Sequence, residues 1–307
     1  MTEKPAFQNV KRIACIGEVM IEMTADGPDH ARLGVAGDTY NTAVYLARLL
    51  GNDAGVSYVT ALGVDRFSER IMVQIAQNGI ETSCIERRED RVPGLYAIET
   101  DETGERSFTY WRSDSAARTL FADPATVTLD SLSGFDLLYL SGITLAILPD
   151  STRQRLFAFL KQFRAKGGLV AYDSNYRPRL WPDQQTAQTV NREMYTLSDL
   201  ALPSLEDERA LFGDAEPQAV VDRLGEAGVR LGAVTYGAAG LWPIPETTPI
   251  PVLEPAPRVV DTTAAGDSFN AGVMAALIQG RTLTDALAGG HAQAVKVLGH
   301  EGAICPA

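Results

Sequence analysis

Val259-Val260-Asp261-Thr262-Thr263-Ala264-Ala265-Gly266-Asp267-Ser268-Phe269-Asn270-Ala271-Gly272 is the stretch whose reading decides the fold. Two β-branched residues end a short run, a turn of small residues follows, and a helix begins with little side-chain bulk. Strand, small-residue turn and helix in that order aim free backbone N–H groups and the positive end of a helix dipole at one spot, which suits an anion, phosphate above all. Ala264, Ala265 and Gly266 leave that backbone uncovered. Asp267 does not suit an anion site unless it has other work. It either caps the helix, as Asp often does, or accepts a proton from an attacking hydroxyl.

The bulk properties narrow the function class. The 307 residues are 45% hydrophobic and carry a formal charge of −12, which describes a soluble globular chain and argues against nucleic acid or an anionic membrane as partner. Cys15, Cys84 and Cys305 are odd in number, far apart and without metal-ligand spacing. With no secretory leader in view they read as reduced thiols of a cytoplasmic protein. His30, His291 and His300 are too scattered for a metal site, and no run reaches the length of a membrane span.

Outward from the opening stretch, the periodicity predicts an α/β fold, a doubly wound and mostly parallel sheet flanked by helices. Strands are expected over 12–16, 56–62, 136–140, 169–172, 200–202 and 233–236, and helices over 42–50, 67–77, 151–166, 183–198, 265–279 and 283–298. The first strand would deliver Glu18 and Glu22 to the sheet edge. Residues 26–35 read as a loop, and the Pro-rich 243–257 as edge strands and loops. Leu95 to Thr100 and Ser107 to Arg112 flank Asp101-Glu102-Thr103-Gly104, a hairpin signal. Its turn length selects the facing residues. A four-residue loop opposes Tyr96 to Thr109; a three-residue loop with Gly104 in a bulge pairs Tyr96 with Tyr110 and keeps Arg112 on the same side. We take the second, because it gathers two phenols and a guanidinium on one patch.

Asp261 to Asp267 closely resembles the C-terminal signature of the ribokinase-like (phosphofructokinase-B type) carbohydrate kinases, usually Asp-Thr-x-Gly-Ala-Gly-Asp. The chain departs from it at Ala264, where Gly is more usual; Ala tolerates fewer backbone angles, so a negative φ is expected there. Pro93-Gly94-Leu95-Tyr96, Tyr110-Trp111-Arg112 and Asn175-Tyr176-Arg177-Pro178-Arg179-Leu180-Trp181 resemble the 2-keto-3-deoxygluconate kinases within that family. The resemblance covers the whole chain and implies one domain over 1–307, with a β lid from about 18–35 and 92–112.

It also implies roles. Asp267 is the general base, beside an anion hole of Ala264, Ala265 and Gly266. Gly37, Asn41, Tyr96, Tyr110, Arg112, Ile143 and Arg177 hold the sugar acid. Ser204, Thr235, Gly237 and Gly240, with Ala264 and Gly266, hold ATP. Asp207, at the last position of an Asn-x-x-Glu pattern that reads Ser204 to Asp207 here, would organise the water around Mg²⁺. Some relatives bind a monovalent cation near positions equivalent to Asp261 and Thr263, which leaves that cofactor open. The expected reaction is transfer of the ATP γ-phosphate to the 6-hydroxyl of a sugar acid, since Arg112 and Arg177 suit a carboxylate. Alternatives are a fructokinase or other ketose kinase and a non-catalytic sugar sensor. A dinucleotide-dependent oxidoreductase is disfavoured because Gly17 lacks the following Gly-x-x-Gly spacing. An exposed lid edge predicts a homo-oligomer.

Overall fold

The computed structural model describes residues 7–27, 29–100 and 106–306. In chain order its strands are β1 (Arg12–Ile16), β2 (Met20–Ala25), β3 (Ala31–Ala36), β4 (Gly55–Leu62), β5 (Ile85–Arg87), β6 (Leu95–Thr100), β7 (Arg106–Trp111), β8 (Leu137–Ser141), β9 (Leu169–Asp173), β10 (Leu200–Ala201), β11 (Leu231–Thr235) and β12 (Leu241–Ile244). The helices are α1 (Asp38–Leu50), α2 (Arg66–Gln77), α3 (Gly142–Ile147), α4 (Asp150–Ala165), α5 (Gln184–Thr196), α6 (Leu205–Phe212), α7 (Pro217–Glu226), α8 (Ala265–Ile278) and α9 (Leu283–Leu298).

Eight strands form the main sheet in the order β12-β11-β10-β9-β8-β1-β4-β5, parallel except for β12. Ile13, Ala14, Cys15 and Ile16 are buried on both faces, as the continuous apolar run of a central parallel strand requires. One core cluster packs α1, α8 and α9 against one face, and a second packs α4 and α5 against the other. Pro243 is tolerated in β12 because that strand is the antiparallel edge. Helices α8 and α9 cross closely: a Cβ on Gly272 would lie 2.7 Å from the Gly290 Cα. Cys15, Cys84 and Cys305 are free thiols, and no described helix is long and apolar enough to cross a membrane.

The smaller sheet has the order β3-β2-β6-β7. Tyr96 pairs with Tyr110 across β6 and β7, the register chosen from the sequence; the turn at 101–104 lies outside the described residues. Two expectations are corrected. Residues 31–36 are a strand, not loop, because β2 offers them a full antiparallel partner from Met20↔Ala36 to Ala25↔Ala31. Val259 and Val260 form no strand before α8: Pro255 and Pro257 stand just upstream, and the Val260 N–H bonds Leu298 O at 2.7 Å. The short α3, α7 and β5 carried no signal strong enough to be expected.

Candidate active site

The first turns of α8 lie beside β8 and β9, where Asn270 Nδ2 donates to the Tyr139 hydroxyl at 3.3 Å and to Asp173 Oδ2 at 2.9 Å. No side chain caps the helix start, so the first-turn N–H groups that every helix leaves unpaired are available to a ligand. The residue before it, Ala264, has φ 62° and ψ 14°, which overturns the expected negative φ. A left-handed residue followed by right-handed ones makes successive N–H groups converge. That demand prevails over a cost of about 1–2 kcal/mol for a non-glycine residue. The Ala264 side chain packs beside a cluster that includes Met20, Ala36 and Tyr96. Asp267 is not the cap: its Oδ2 accepts from Asn41 Nδ2 at 2.8 Å, and its carbonyl accepts from the Thr42 hydroxyl at 3.2 Å. The start of α1 and the start of α8, 226 residues apart, are thereby tied together.

A cavity of about 440 Å³ opens over this junction. Gly37, Asn41, Tyr96, Tyr110, Arg112, Ile143, Arg177 and Asp267 all line it. So do Ser204, Asp207, Thr235, Ala264, Ala265 and Gly266 towards its other end. Gly237 and Gly240 lie in the turn beyond β11, outside this lining. Gly37 is needed there for lack of bulk rather than for a special conformation. A Cβ on it would lie 2.2 Å from the Glu18 carbonyl oxygen.

Asp38, Asp173 and Phe108 are among the cavity residues to which no role in the site was assigned from the sequence. Asp38 does not cap α1; its Oδ2 accepts from the Ser141 hydroxyl and, at 2.9 Å, from Asn175 Nδ2. Asp173 accepts from Asn270 Nδ2 at 2.9 Å and from the Asn175 N–H at 3.1 Å. Phe108 lines the cavity from β7. For Asp173 a signal was available: it opens Asp173-Ser174-Asn175-Tyr176-Arg177, directly before the stretch that carried Arg177.

These carboxylates shape the electrostatics. Burial, the Asp38 charge and the Asp173 charge push the Asp267 carboxyl well above the ordinary carboxylate range, partly offset by Asn41 and Arg177. Burial and then the Asp207 charge push Asp173 up to about 7. A half-buried, basic carboxylate beside an uncapped helix start is suited to taking a proton.

Both arginines assigned to the substrate are already paired. Arg112 Nη2 donates to Glu18, which is buried and also accepts from the Ser115 hydroxyl. Arg112 Nε is buried without an acceptor among the described residues. Arg177 Nη1 meets Asp207 Oδ1 at 3.1 Å. Tyr96 donates to Glu22 and lies 5.7 Å, centroid to centroid, from Tyr110. Glu18 and Glu22 therefore hold the binding side chains rather than project freely.

For a nucleotide the fit is good: the helix start is uncapped, and a Cβ on Gly266 would meet nothing within 4 Å, so the backbone is open to phosphate. No group of three His, Cys, Asp or Glu among the described residues could cage a metal alone. Ser204 and Asp207, both in the cavity lining, offer one hydroxyl and one carboxylate to the water shell of a Mg²⁺ held by substrate phosphates.

Residues 10–307 match the pfkB family of carbohydrate kinases. The 2-dehydro-3-deoxygluconokinase of Escherichia coli (strain K12) is 44% identical over 307 residues, covering 96% of this chain and 97% of its own length. The crystal structure of 2-dehydro-3-deoxygluconokinase from Thermotoga maritima superposes with a TM-score of 0.83 at 19% identity, covering 97% and 95% of the two chains, a likeness of fold. The fructokinase with bound ATP from Xylella fastidiosa gives 0.80 at 25% identity, covering 95% and 93%.

Proposed function

The chain belongs to the pfkB family of carbohydrate kinases and is an ATP-dependent carbohydrate kinase; from that premise we propose that its acceptor is 2-keto-3-deoxygluconate, phosphorylated on the 6-hydroxyl. The observation that carries this reading is the meeting, in one cavity, of Asp267 at an uncapped helix start with Arg112 and Arg177 at the other wall. The 44% identity to a 2-dehydro-3-deoxygluconokinase supports the same substrate.

In this mechanism the sugar acid lies between the small sheet and α1, its carboxylate on the free edge of Arg112 and on Arg177. Glu18 keeps the Arg112 plane fixed while Nε, unpartnered now, gains an acceptor. Tyr96 and Tyr110 cover the keto end and exclude water, so the small sheet serves as a lid. Asn41 holds the Asp267 carboxyl at 2.8 Å in the orientation from which it takes the 6-hydroxyl proton. The N–H groups at the start of α8 meet the charge on the transferring phosphoryl group, largely a task of electrostatics and positioning. Mg²⁺ would sit on the phosphates, its waters held by Asp207 and Ser204, and would neutralise charge there. One observation favours a second reading, a ketose kinase: with Glu18 on Arg112 and Asp207 on Arg177, both guanidinium groups are already neutralised.

A phosphorylation panel of deoxygluconate, deoxygalactonate, gluconate, fructose and ribose separates the two. We expect kcat/KM for deoxygluconate to exceed that for fructose by at least a hundredfold. A preference for fructose assigns the chain to the ketose kinases.

A further inference from the structure

A second cavity, of about 880 Å³, adjoins the first between the end of β7 and the turn after β9. Phe108, Tyr110, Arg112, Ile143 and Arg177 line both, so the two are one continuous space. The outer part adds Arg118, half-buried in the turn after β7, and Arg179, exposed in the turn after β9. Four arginines thus line this second part, where no Asp or Glu is found among the described residues, on a chain of net charge −12. Their charges are not equivalent. Arg112 is neutralised by Glu18 and Arg177 by Asp207, whereas Arg118 and Arg179 have no carboxylate partner among the described residues. The unbalanced positive charge therefore lies in the second cavity and not in the first.

We propose that Arg118 and Arg179 form an outer anion subsite that receives the carboxylate of the sugar acid before it reaches the inner cavity. The proposal rests on the sugar-acid reading and adds two residues to it. Clustered like charges on an oppositely charged surface concentrate a counter-ion locally and raise its rate of capture. Over the roughly 8 Å Debye length at physiological salt, an acid near Arg118 and Arg179 still feels them, while a neutral ketose does not. The paired inner arginines then serve geometry and the outer pair serves attraction. ATP phosphates belong at the start of α8, against the inner cavity, and do not account for positive charge here.

The test uses the intact enzyme, with Arg179→Gln, Arg118→Gln and the double variant assayed on deoxygluconate and fructose between 20 mM and 500 mM salt. We expect the double variant to raise KM for the acid about five- to tenfold at low salt and at most about twofold at high salt, the loss falling on KM rather than kcat. KM for fructose stays level, and Arg179→Lys restores most of the loss. Arg179 is exposed, so its single variant does not risk the fold. Equal acid KM and equal salt slope in the variants overturn the subsite. So does inhibition by inorganic phosphate that the variants relieve while acid kinetics stay the same, since the cavity would then be an effector site. An unaltered enzyme that phosphorylates no sugar acid overturns the substrate reading itself, and that result is visible before any variant is made.

Discussion

Gly37→Ala is the substitution whose effect the coordinates set most directly. The new methyl would lie 2.2 Å from the Glu18 carbonyl oxygen and 3.2 Å from both the Glu18 carbonyl carbon and Val19 Cα. All three are backbone atoms, so no rotamer relieves the overlap. Gly37 has φ 171°, an extended angle open to Ala, which leaves bulk as the only objection. Ordinary contact requires the two segments to separate by ~1 Å. One segment begins α1, where Asn41 holds Asp267; the other carries Glu18, which holds Arg112. Overpacking of this kind costs about 1–3 kcal/mol, a few degrees in Tm for a chain of this size. A ~1 Å misplacement of reacting groups costs about a hundredfold in rate. Steady-state turnover at saturating ATP, coupled to ADP formation, should therefore fall ~100-fold while thermal unfolding remains cooperative. Wild-type kcat with a Tm unchanged within about 1 °C would refute the claim that the two backbones are pressed together here.

Further outcomes follow from the same geometry. Asp267→Asn should lower kcat about a hundredfold or more without lowering Tm, since it removes a carboxylate crowded by Asp38 and Asp173; turnover within tenfold of wild type would remove Asp267 from the base role. Gly266→Ala should leave Tm unchanged, because its methyl meets nothing, yet raise KM for ATP about tenfold or more by covering the phosphate cradle; equal KM would place the phosphates elsewhere. Arg112→Ala should cost deoxygluconate about 10- to 100-fold in kcat/KM, and equal losses on fructose would contradict its assignment to a carboxylate. The base must be deprotonated, so activity should fall as pH drops through the raised Asp267 pKa. Asp38→Asn removes one cause of that rise, and the acid limb of kcat/KM should move to lower pH; a limb that stays or moves up refutes the coupling.

Much of the fold was legible in the residues because its causes are local. The apolar run at 12–16 and the alternation of helix and strand periods need only near neighbours, and the Tyr96–Tyr110 register rested on alternation and a turn signal. What misled was also local reasoning. Pro255 and Pro257 stand within a few residues of Val259 and Val260, yet the β-branched pair was read as a strand. Residues 31–36 looked like loop because their partner, β2, is what makes them a strand.

The site divides in the same way. From the sequence came the small-residue turn before a helix, the carboxylate at 267 and the facing of Tyr96, Tyr110 and Arg112, which rest on residue type and spacing along the chain; the place of Arg177 came from the resemblance to the family. Only the tertiary structure decided that Ala264 turns left-handed, that Asp38 and Asp173 crowd Asp267, that Glu18 holds Arg112 and Asp207 holds Arg177, and that Arg118 and Arg179 have no carboxylate partner among the described residues. Charge pairing, desolvation and close backbone approach depend on distances through space. Asn41 and Asp267 are 226 positions apart along the chain and 2.8 Å apart in the fold, a proximity that no local pattern encodes.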